Sequence, residues 1–374
     1  AERNKVTDQI SELKKSKQDA NDKIVSMRTL GSKIKNLESE ISVKKERLDG
    51  LILNLPNVPH ESVPPGSDET NNKVIYEWGV EKNQSFDIKN HLSLGSSLKL
   101  FDFERSAKLS GSGFPLYTGK GALLERSLIN FMLEIQTQKN DYLEIIPPFL
   151  VNSNSVLTTG NLPKFSEDMY HSEIDDMWLI PTAEVPLTNI HYNEILNQSD
   201  LPKKYTAFSA CFRREAGSYG KDTKGFQRLH QFNKVELVQL VKPEESYKAL
   251  ESLTSHAEIV LKALNLKYRK IELCAGDLSF SAAKCYDLEI WAPAEGKWLE
   301  VSSCSNFEDF QSRRGNIRYR KEVDNKVDFV HTLNGSGLAT PRLLIALLET
   351  YQNANGTITV PEPLQDYTKL KIID

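Results

Sequence analysis

The sequence predicts an α+β protein in which a helical N-terminal segment precedes a body built on an antiparallel sheet flanked by helices. Three observations predict it. The first 55 residues contain no proline and space their apolar residues three and four apart, the period of a coiled-coil seam. Beyond them, short β-rich runs alternate with amphipathic helices and join as hairpins. Neither a βαβ repeat nor a GxGxxG fingerprint occurs, which argues against a doubly wound parallel sheet.

Taken in order, the seam runs through Ile10, Leu13, Ala20, Ile24 and Met27, then Ile34, Leu37, Ile41, Leu48, Leu51 and Leu55. The polar run Lys14 to Asp22 reverses the chain, so one helix is expected from Asn21 to Asn54, about 50 Å long at roughly 1.5 Å per residue. Residues 2–15 are too short to cover that seam, and more helix is expected to precede Ala1 in the intact protein. The prolines of residues 55–66 end the helix and mark a boundary, giving a partial arm at 1–55 and a body at 56–374.

In the body, Leu116 to Lys120 reads as a strand and Gly121 to Asn140 as a helix. Tyr142 to Val151 is β-rich, but Pro147 and Pro148 cannot donate to a ladder, so it belongs at an edge or an interface. Strands are expected at Met177 to Pro181, Tyr205 to Glu215 and Phe226 to Val241, with a helix from Glu184 to Asn197. Glu244 to Leu264 is the clearest helix. Strands return at Tyr268 to Leu273, Cys285 to Trp291 and Trp298 to Ser303. A glycine-rich turn, Leu333 to Arg342, feeds the last helix, with Pro341 in its first turn.

Composition is that of a soluble globular protein, with 26% charged and 39% apolar residues. No apolar run approaches the roughly 20 residues of a membrane span, and no signal-peptide pattern opens the chain. Cys211, Cys274, Cys285 and Cys304 form no CxxC pair, which suits a reducing cytoplasm and argues against a cysteine-rich zinc site. The net charge of −4 is uneven: residues 1–55 hold 12 basic and 9 acidic side chains, whereas the remainder is acidic. Nucleic-acid contact would therefore concentrate on the basic arm.

Four stretches carry candidate chemistry. Cys211 to Glu236 reads as a hairpin with Arg213, Glu215, Arg228 and Glu236 among apolar strand residues, either an ordinary charged hairpin or a grip on an anion and a cation. In LIPTAEV, Thr182 and Glu184 sit in an apolar, strand-like context where a carboxylate needs a partner, a ligand ammonium or a neighbouring arginine. In WLEVSSCS, Glu300 with nearby serine hydroxyls makes a hard-oxygen set suited to Mg²⁺, although serine-rich strands usually only hydrogen-bond. In LNGSGLATPR, glycines let the backbone approach a ligand beside Ser336 and Arg342.

Together the stretches resemble a known family. Phe-Arg-x-Glu, a loop and Arg-x-His-Gln-Phe resemble motif 2 of class II aminoacyl-tRNA synthetases. The strand ending at Pro148 is similar to motif 1, and Gly335 to Arg342 to motif 3. The wordings TAEVPLTN, FRREAGSYGKDTKGF, HQFNKVE, EVSSCSNFEDFQSRR and HTLNGSGLA resemble the bacterial-type seryl-tRNA synthetases, over essentially the whole chain.

That resemblance implies a class II antiparallel sheet preceded by an antiparallel coiled-coil arm. It implies activation of L-serine by ATP to seryl-adenylate and transfer to the 3′ end of tRNA(Ser), with tRNA(Sec) left open as a second acceptor. L-Serine would be held by Thr182, Ala183, Glu184, Arg213, Glu236 and Ser336. ATP would be held by Arg213, Arg214, Glu215, Phe232, Glu300, Val301, Ser302, Ser303 and Arg342. Arg213 is the expected catalytic residue, on the α-phosphate; Glu215 would reach the adenine amino group, and Phe232 and Arg342 would clamp the ring. The side chain of Arg214 is expected to point away from ATP, and Phe226 is given no adenine role. Glu300 and Ser303 would hold Mg²⁺, which on a regular strand they could not do from one face, so a bulge between them, or approach from the backbone side, would be needed. The family also implies a homodimer through motif 1, a lysine-rich arm laid on the tRNA backbone, and a loop, Ala216 to Gly225, that guides the acceptor end. A ligase loading a carrier protein, a paralogue that only binds RNA and a coiled-coil scaffold are the alternatives; serine-dependent ATP–pyrophosphate exchange, then tRNA, separates them.

Overall fold

The computed structural model describes residues 2–82, 84–215 and 224–374. The chain divides into two compact units, Ala1–Leu55 and Pro56–Asp374. In the first, helix α1 (Glu2–Lys15) turns back through Lys17, at φ 56°, into helix α2 (Asn21–Ile52), which runs through Gly31 without a break. Ile10 and Leu13 of α1 are half-buried, as are Ile24, Met27 and Ile34 of α2. Along the rest of α2 the seam is open: Ile41 is 63% and Leu51 59% exposed. No helix among the described residues is long and apolar enough to cross a membrane.

The second unit is organised by an eight-stranded sheet. Its strands are β1 (Lys73–Trp78), β2 (Leu143–Glu144), β3 (Lys203–Phe212), β4 (Gln231–Val241), β5 (Tyr268–Glu272), β6 (Lys284–Ala292), β7 (Lys297–Asn306) and β8 (His331–Ala339). They lie in the order β1-β5-β6-β7-β8-β4-β3-β2. Every pairing is antiparallel except the short edge strand β2, which runs parallel to β3. Pro147 and Pro148 split the expected strand 142–151 into β2 and a separate piece, Leu150–Asn152.

Helix α3 (Gly119–Lys139), helix α4 (Ser246–Ala263) and helix α5 (Thr340–Tyr351) pack on this sheet. Their apolar stripes meet strand residues such as Leu288, Leu333 and Leu237 in a fully buried core. The glycine-rich segment 333–339, expected as a turn, is instead the central strand β8. Helix α4 explains the glycine: a Cβ on Gly335 would stand 2.4 Å from Leu253 Cδ2 and 2.8 Å from Cys304 Sγ. Glycine here marks a close approach rather than a reversal.

Three other expectations change. Leu116 to Lys120 contributes one bridge, Phe101 to Tyr117, because α3 starts at Gly119. The expected helix 184–197 ends at Thr188, and Ile195–Asn197 is a strand beside Arg318–Arg320. Glu184 is accordingly the first residue of a short helix, not part of a strand; Pro186 is tolerated in that first turn, where its missing N–H has no helical partner.

Candidate active site

A cavity of about 740 Å³ opens over the central strands of the sheet. Ten predicted site residues line it: Thr182, Glu184, Arg213, Glu215, Phe232, Glu300, Val301, Ser303, Ser336 and Arg342. Four do not. Ala183 is fully buried, and Ser302 turns inward to donate to the Ser336 carbonyl at 2.7 Å. Arg214 stands close enough to Tyr170 to counter the upward push that burial gives that phenol. Glu236 lies beneath the floor, with no exposed surface.

Two β-bulges set which side chains reach the cavity. Between β6 and β7, Leu288 pairs with Ser302 but Glu289 with Glu300, so Val301 is an extra residue. Val301 and Ser302 are both buried, while Glu300 and Ser303 return to one face. Of the two arrangements that would let Glu300 and Ser303 act together, the bulge is the one present. Between β4 and β8, Ser336 pairs with Glu236 and Leu338 with Val235, making Gly337 the extra residue and placing Ser336 over the carboxylate strand.

The acidic part of the site is a network. Asn334 Nδ2 donates to Glu184 Oε2 at 2.8 Å and to Glu236 Oε1 at 3.3 Å, and Gln311 Nε2 donates to Glu184 Oε1 at 2.7 Å. Thr182 Oγ1 donates to Glu236, and Lys234 Nζ lies 2.5 Å from Glu236 Oε2. Burial, reinforced by the charge of Glu236, pushes the Glu184 carboxyl up to about 7, an effect eased by Gln311, Lys234 and Arg213. Such a carboxyl gains most from a ligand cation, which restores the charge that burial opposes.

The basic part is built from the hairpin roots. Arg213 Nε donates to the Pro181 carbonyl at 3.4 Å, and its guanidinium stands 5.1 Å over the Phe232 ring. Its backbone is held by His230: the Arg213 N–H donates to the His230 carbonyl at 2.9 Å, the His230 Nδ1 lies 3.0 Å from the Arg213 carbonyl oxygen, and the ring stacks on Phe114 at 5.4 Å. His230 is thus a strut outside the cavity. Glu215 adopts φ 51°, sparsely populated for a side chain, and pairs with Arg228 at 2.6 Å. Arg342 Nη1 donates to the Glu300 carbonyl at 2.9 Å and reaches its carboxylate at 3.5 Å. Phe226 is 1% exposed, packed among Phe101, Phe103 and Tyr117. The loop expected to guide the acceptor end, Ala216 to Gly225, falls outside the described residues for 216–223.

Glu300, Ser303 and Asp287, which pairs with Ser303 across β6 and β7, form a hard-oxygen set. Burial and the Glu300 charge raise the Asp287 carboxyl well above its usual range, so the donor set fits a divalent cation. Asn334, Gln311 and Lys234 were not singled out from sequence. All three lie inside the quoted motifs, but only strand register reveals that they serve the two carboxylates.

The model of the tRNA synthetase class II core domain (G, H, P, S and T) matches residues 165–351, and that of the seryl-tRNA synthetase N-terminal domain matches residues 1–59. A serine–tRNA ligase of Pelodictyon phaeoclathratiforme is 53% identical over 369 residues, covering 98% of this chain and 86% of the relative. The crystal structure of seryl-tRNA synthetase from Pyrococcus horikoshii complexed with ATP superposes with a TM-score of 0.94 at 39% identity, over 100% of this chain and 88% of that one. A cytoplasmic serine–tRNA ligase from Naegleria fowleri in complex with AMP gives 0.87 at 30% identity, over 96% and 77%.

Proposed function

This chain belongs to the seryl-tRNA synthetase family, and from that premise we propose that its cavity activates L-serine with ATP and charges tRNA(Ser) through seryl-adenylate. The observation that carries the reading is Glu184, bridged by Asn334 to Glu236 beneath the floor, in the same cavity as Arg213, Arg228 and Arg342. Glu184 faces the serine ammonium. Glu236, reached once Thr182 or Lys234 yields, accepts the serine hydroxyl, and Ser336 borders the same subsite. Alanine is disfavoured because it offers no hydroxyl to replace the Thr182 or Lys234 contact that yields on binding.

In the first step a serine carboxylate oxygen bonds to the α-phosphorus and the bond to the β-phosphate bridge breaks, releasing pyrophosphate. Arg213 stabilises the charge gathering on the α-phosphate oxygens. The Phe232 face, where Arg213 rests, receives adenine, with Arg342 on the other side of the ring. Glu215 takes the amino group. When bound, Mg²⁺ supplies charge neutralisation on the phosphates, and Glu300 and Ser303 would hold it. In the second step the terminal ribose hydroxyl of the tRNA attacks the anhydride carbonyl and AMP leaves. Positioning rather than a protein nucleophile supplies the rate.

Exposed Lys14, Lys15 and Lys17 suit backbone contacts to tRNA by the arm. Selenocysteine tRNA is a second candidate acceptor. Leu143, Ile146 and Leu150 are 61%, 89% and 47% exposed around Pro147–Pro148, which supports a homodimer through this segment. Four free, buried cysteines suit the cytoplasm. The test is ATP–pyrophosphate exchange: exchange dependent on serine and absent with alanine is expected, and serine-independent exchange overturns the reading. Adding tRNA and measuring charging separates a synthetase from a carrier-protein ligase.

A further inference from the structure

Outside the cavity, a buried imidazole faces two carboxylates that none of the roles above uses. His91 opens the short helix His91–Ser97 and is 1% exposed. Its Nδ1 lies 3.4 Å from Glu295 Oε1 and 3.4 Å from Glu349 Oε1, and its backbone N–H donates to the same Glu349 oxygen at 3.1 Å. A ring nitrogen between two carboxylate oxygens must present an N–H to them, so the proton sits on Nδ1. The other Glu349 oxygen accepts from the backbone N–H groups of Ala294 and Glu295 at 3.0 and 3.4 Å, which fixes the turn that carries Glu295.

This group bears on Gly225 to Gln227, the residues immediately before Arg228 of the cavity. His91 Nε2 has no hydrogen-bond partner among the described residues and faces Gly225, where a Cβ would stand 2.3 Å from it. At φ 64°, with the imidazole that close, the position takes only glycine. The Phe226 ring lies 6.1 Å from the His91 ring, centre to centre. Glu295 Oε2 accepts from Gln227 Nε2 at 3.0 Å, and Gln227 Oε1 accepts from Lys297 Nζ at 3.0 Å. The Gln227 carbonyl in turn accepts from Arg342 Nε at 3.3 Å. Glu349 follows Arg342 by about two turns of α5 and shares its face of that helix. A chain of contacts thus runs from His91 through Glu295 and Gln227 to the guanidinium assigned to adenine.

We propose that His91 is a positioning residue for the nucleotide: with Glu349 it holds Glu295, Glu295 holds Gln227, and the Gln227 carbonyl sets the plane of Arg342 over the adenine subsite. The assignment rests on the synthetase reading. A planar guanidinium held at Nε by one carbonyl and at Nη1 by another, that of Glu300 at 2.9 Å, has a single orientation. Freed at Nε, it can turn about the second contact. The carboxylates assigned to serine are held by a separate set, Gln311, Asn334 and Thr182, so the effect should fall on ATP alone.

The test is serine-dependent ATP–pyrophosphate exchange by the full chain and its variants His91→Ala, His91→Asn and Glu295→Ala. Glu295 is 19% exposed in a turn, so its variant keeps the fold even where His91→Ala does not. The KM for ATP should rise about tenfold in His91→Ala and Glu295→Ala, as for loss of one hydrogen bond to a charged group, while kcat and the KM for serine stay within about twofold. His91→Asn, whose amide can place an N–H near the Nδ1 position, should recover most of the ATP affinity. In an Arg342→Ala background, His91→Ala should add less than about twofold, because the residue it positions is gone. A merely structural histidine would lower kcat with the fraction of folded protein and leave both KM values alone. That pattern, equal rises in both KM values, absence of rescue by Asn, or full additivity with Arg342→Ala overturns the proposal. A parent protein with no serine-dependent exchange would instead refute the synthetase reading on which it stands.

Discussion

Burial behind Gln311 and Asn334, with Glu236 close by, leaves the Glu184 carboxyl at about 7 in the free protein. Its raised value means that the free fold loses stability as pH rises from the ordinary carboxyl range through 7, because the unfolded chain ionises first. Serine binding runs the other way. An ammonium selects the carboxylate, so below pH 7 binding must expel a proton and the KM for serine in exchange should rise about tenfold per pH unit. Glu184→Gln should flatten that profile and weaken serine binding by about 2 kcal/mol, some thirtyfold, through loss of a charged hydrogen bond. A KM independent of pH between 6 and 8 in the parent would remove Glu184 from the ammonium site. Lys234, Asn334 and Gln311 escaped the sequence reading at this same scale. A residue type inside a motif shows that chemistry is present, but which carboxylate it serves depends on neighbours brought together by β4, β8 and the segment at 311.

At the scale of elements, legibility followed the strength of the period. Helices α1, α2 and α4 were readable to within a few residues because their apolar residues keep the three-and-four spacing, in α2 despite the interruption at Lys44, and no proline breaks them. Strand β8 was not, since glycine signals a turn locally and a close approach only when the helix packed above it is known. Gly335→Ala tests that reason. A Cβ meeting Leu253 and Cys304 should cost about 1–3 kcal/mol by overpacking, read as a lower denaturant midpoint at unchanged slope. Adding Leu253→Ala should restore part of the loss if the contact with α4 is the cause; no recovery would place the strain elsewhere.

For the whole molecule, the division into arm and body was visible in the prolines of 55–66, whereas subunit contacts lie beyond what one chain's periodicity records. The exposed Leu143, Ile146 and Leu150 beside the edge strand β2 carry the homodimer proposal. Ile146→Asp should shift the sedimentation coefficient from dimer toward monomer at micromolar concentration, since a buried, unpaired charge is costly at an interface. A variant that sediments like the parent would move the interface away from this segment.

The extra residues Val301 and Gly337 also govern how the gene tolerates changes of length. Each strand holds its register only because the count on both sides of the bulge is kept, and side chains alternate faces one by one. Removing a single codon within 297–306 or 331–339, other than that of Val301 or Gly337 itself, would re-face the strand residues on one side of the deletion, whereas losing either extra residue would only restore regular pairing. Losing a codon from the exposed turn near Gly296 would leave that count untouched. A library of single-codon deletions, selected for growth on this gene alone, should therefore show two restricted windows at the bulged strands, each relieved at its extra residue, and a permissive gap at the turn.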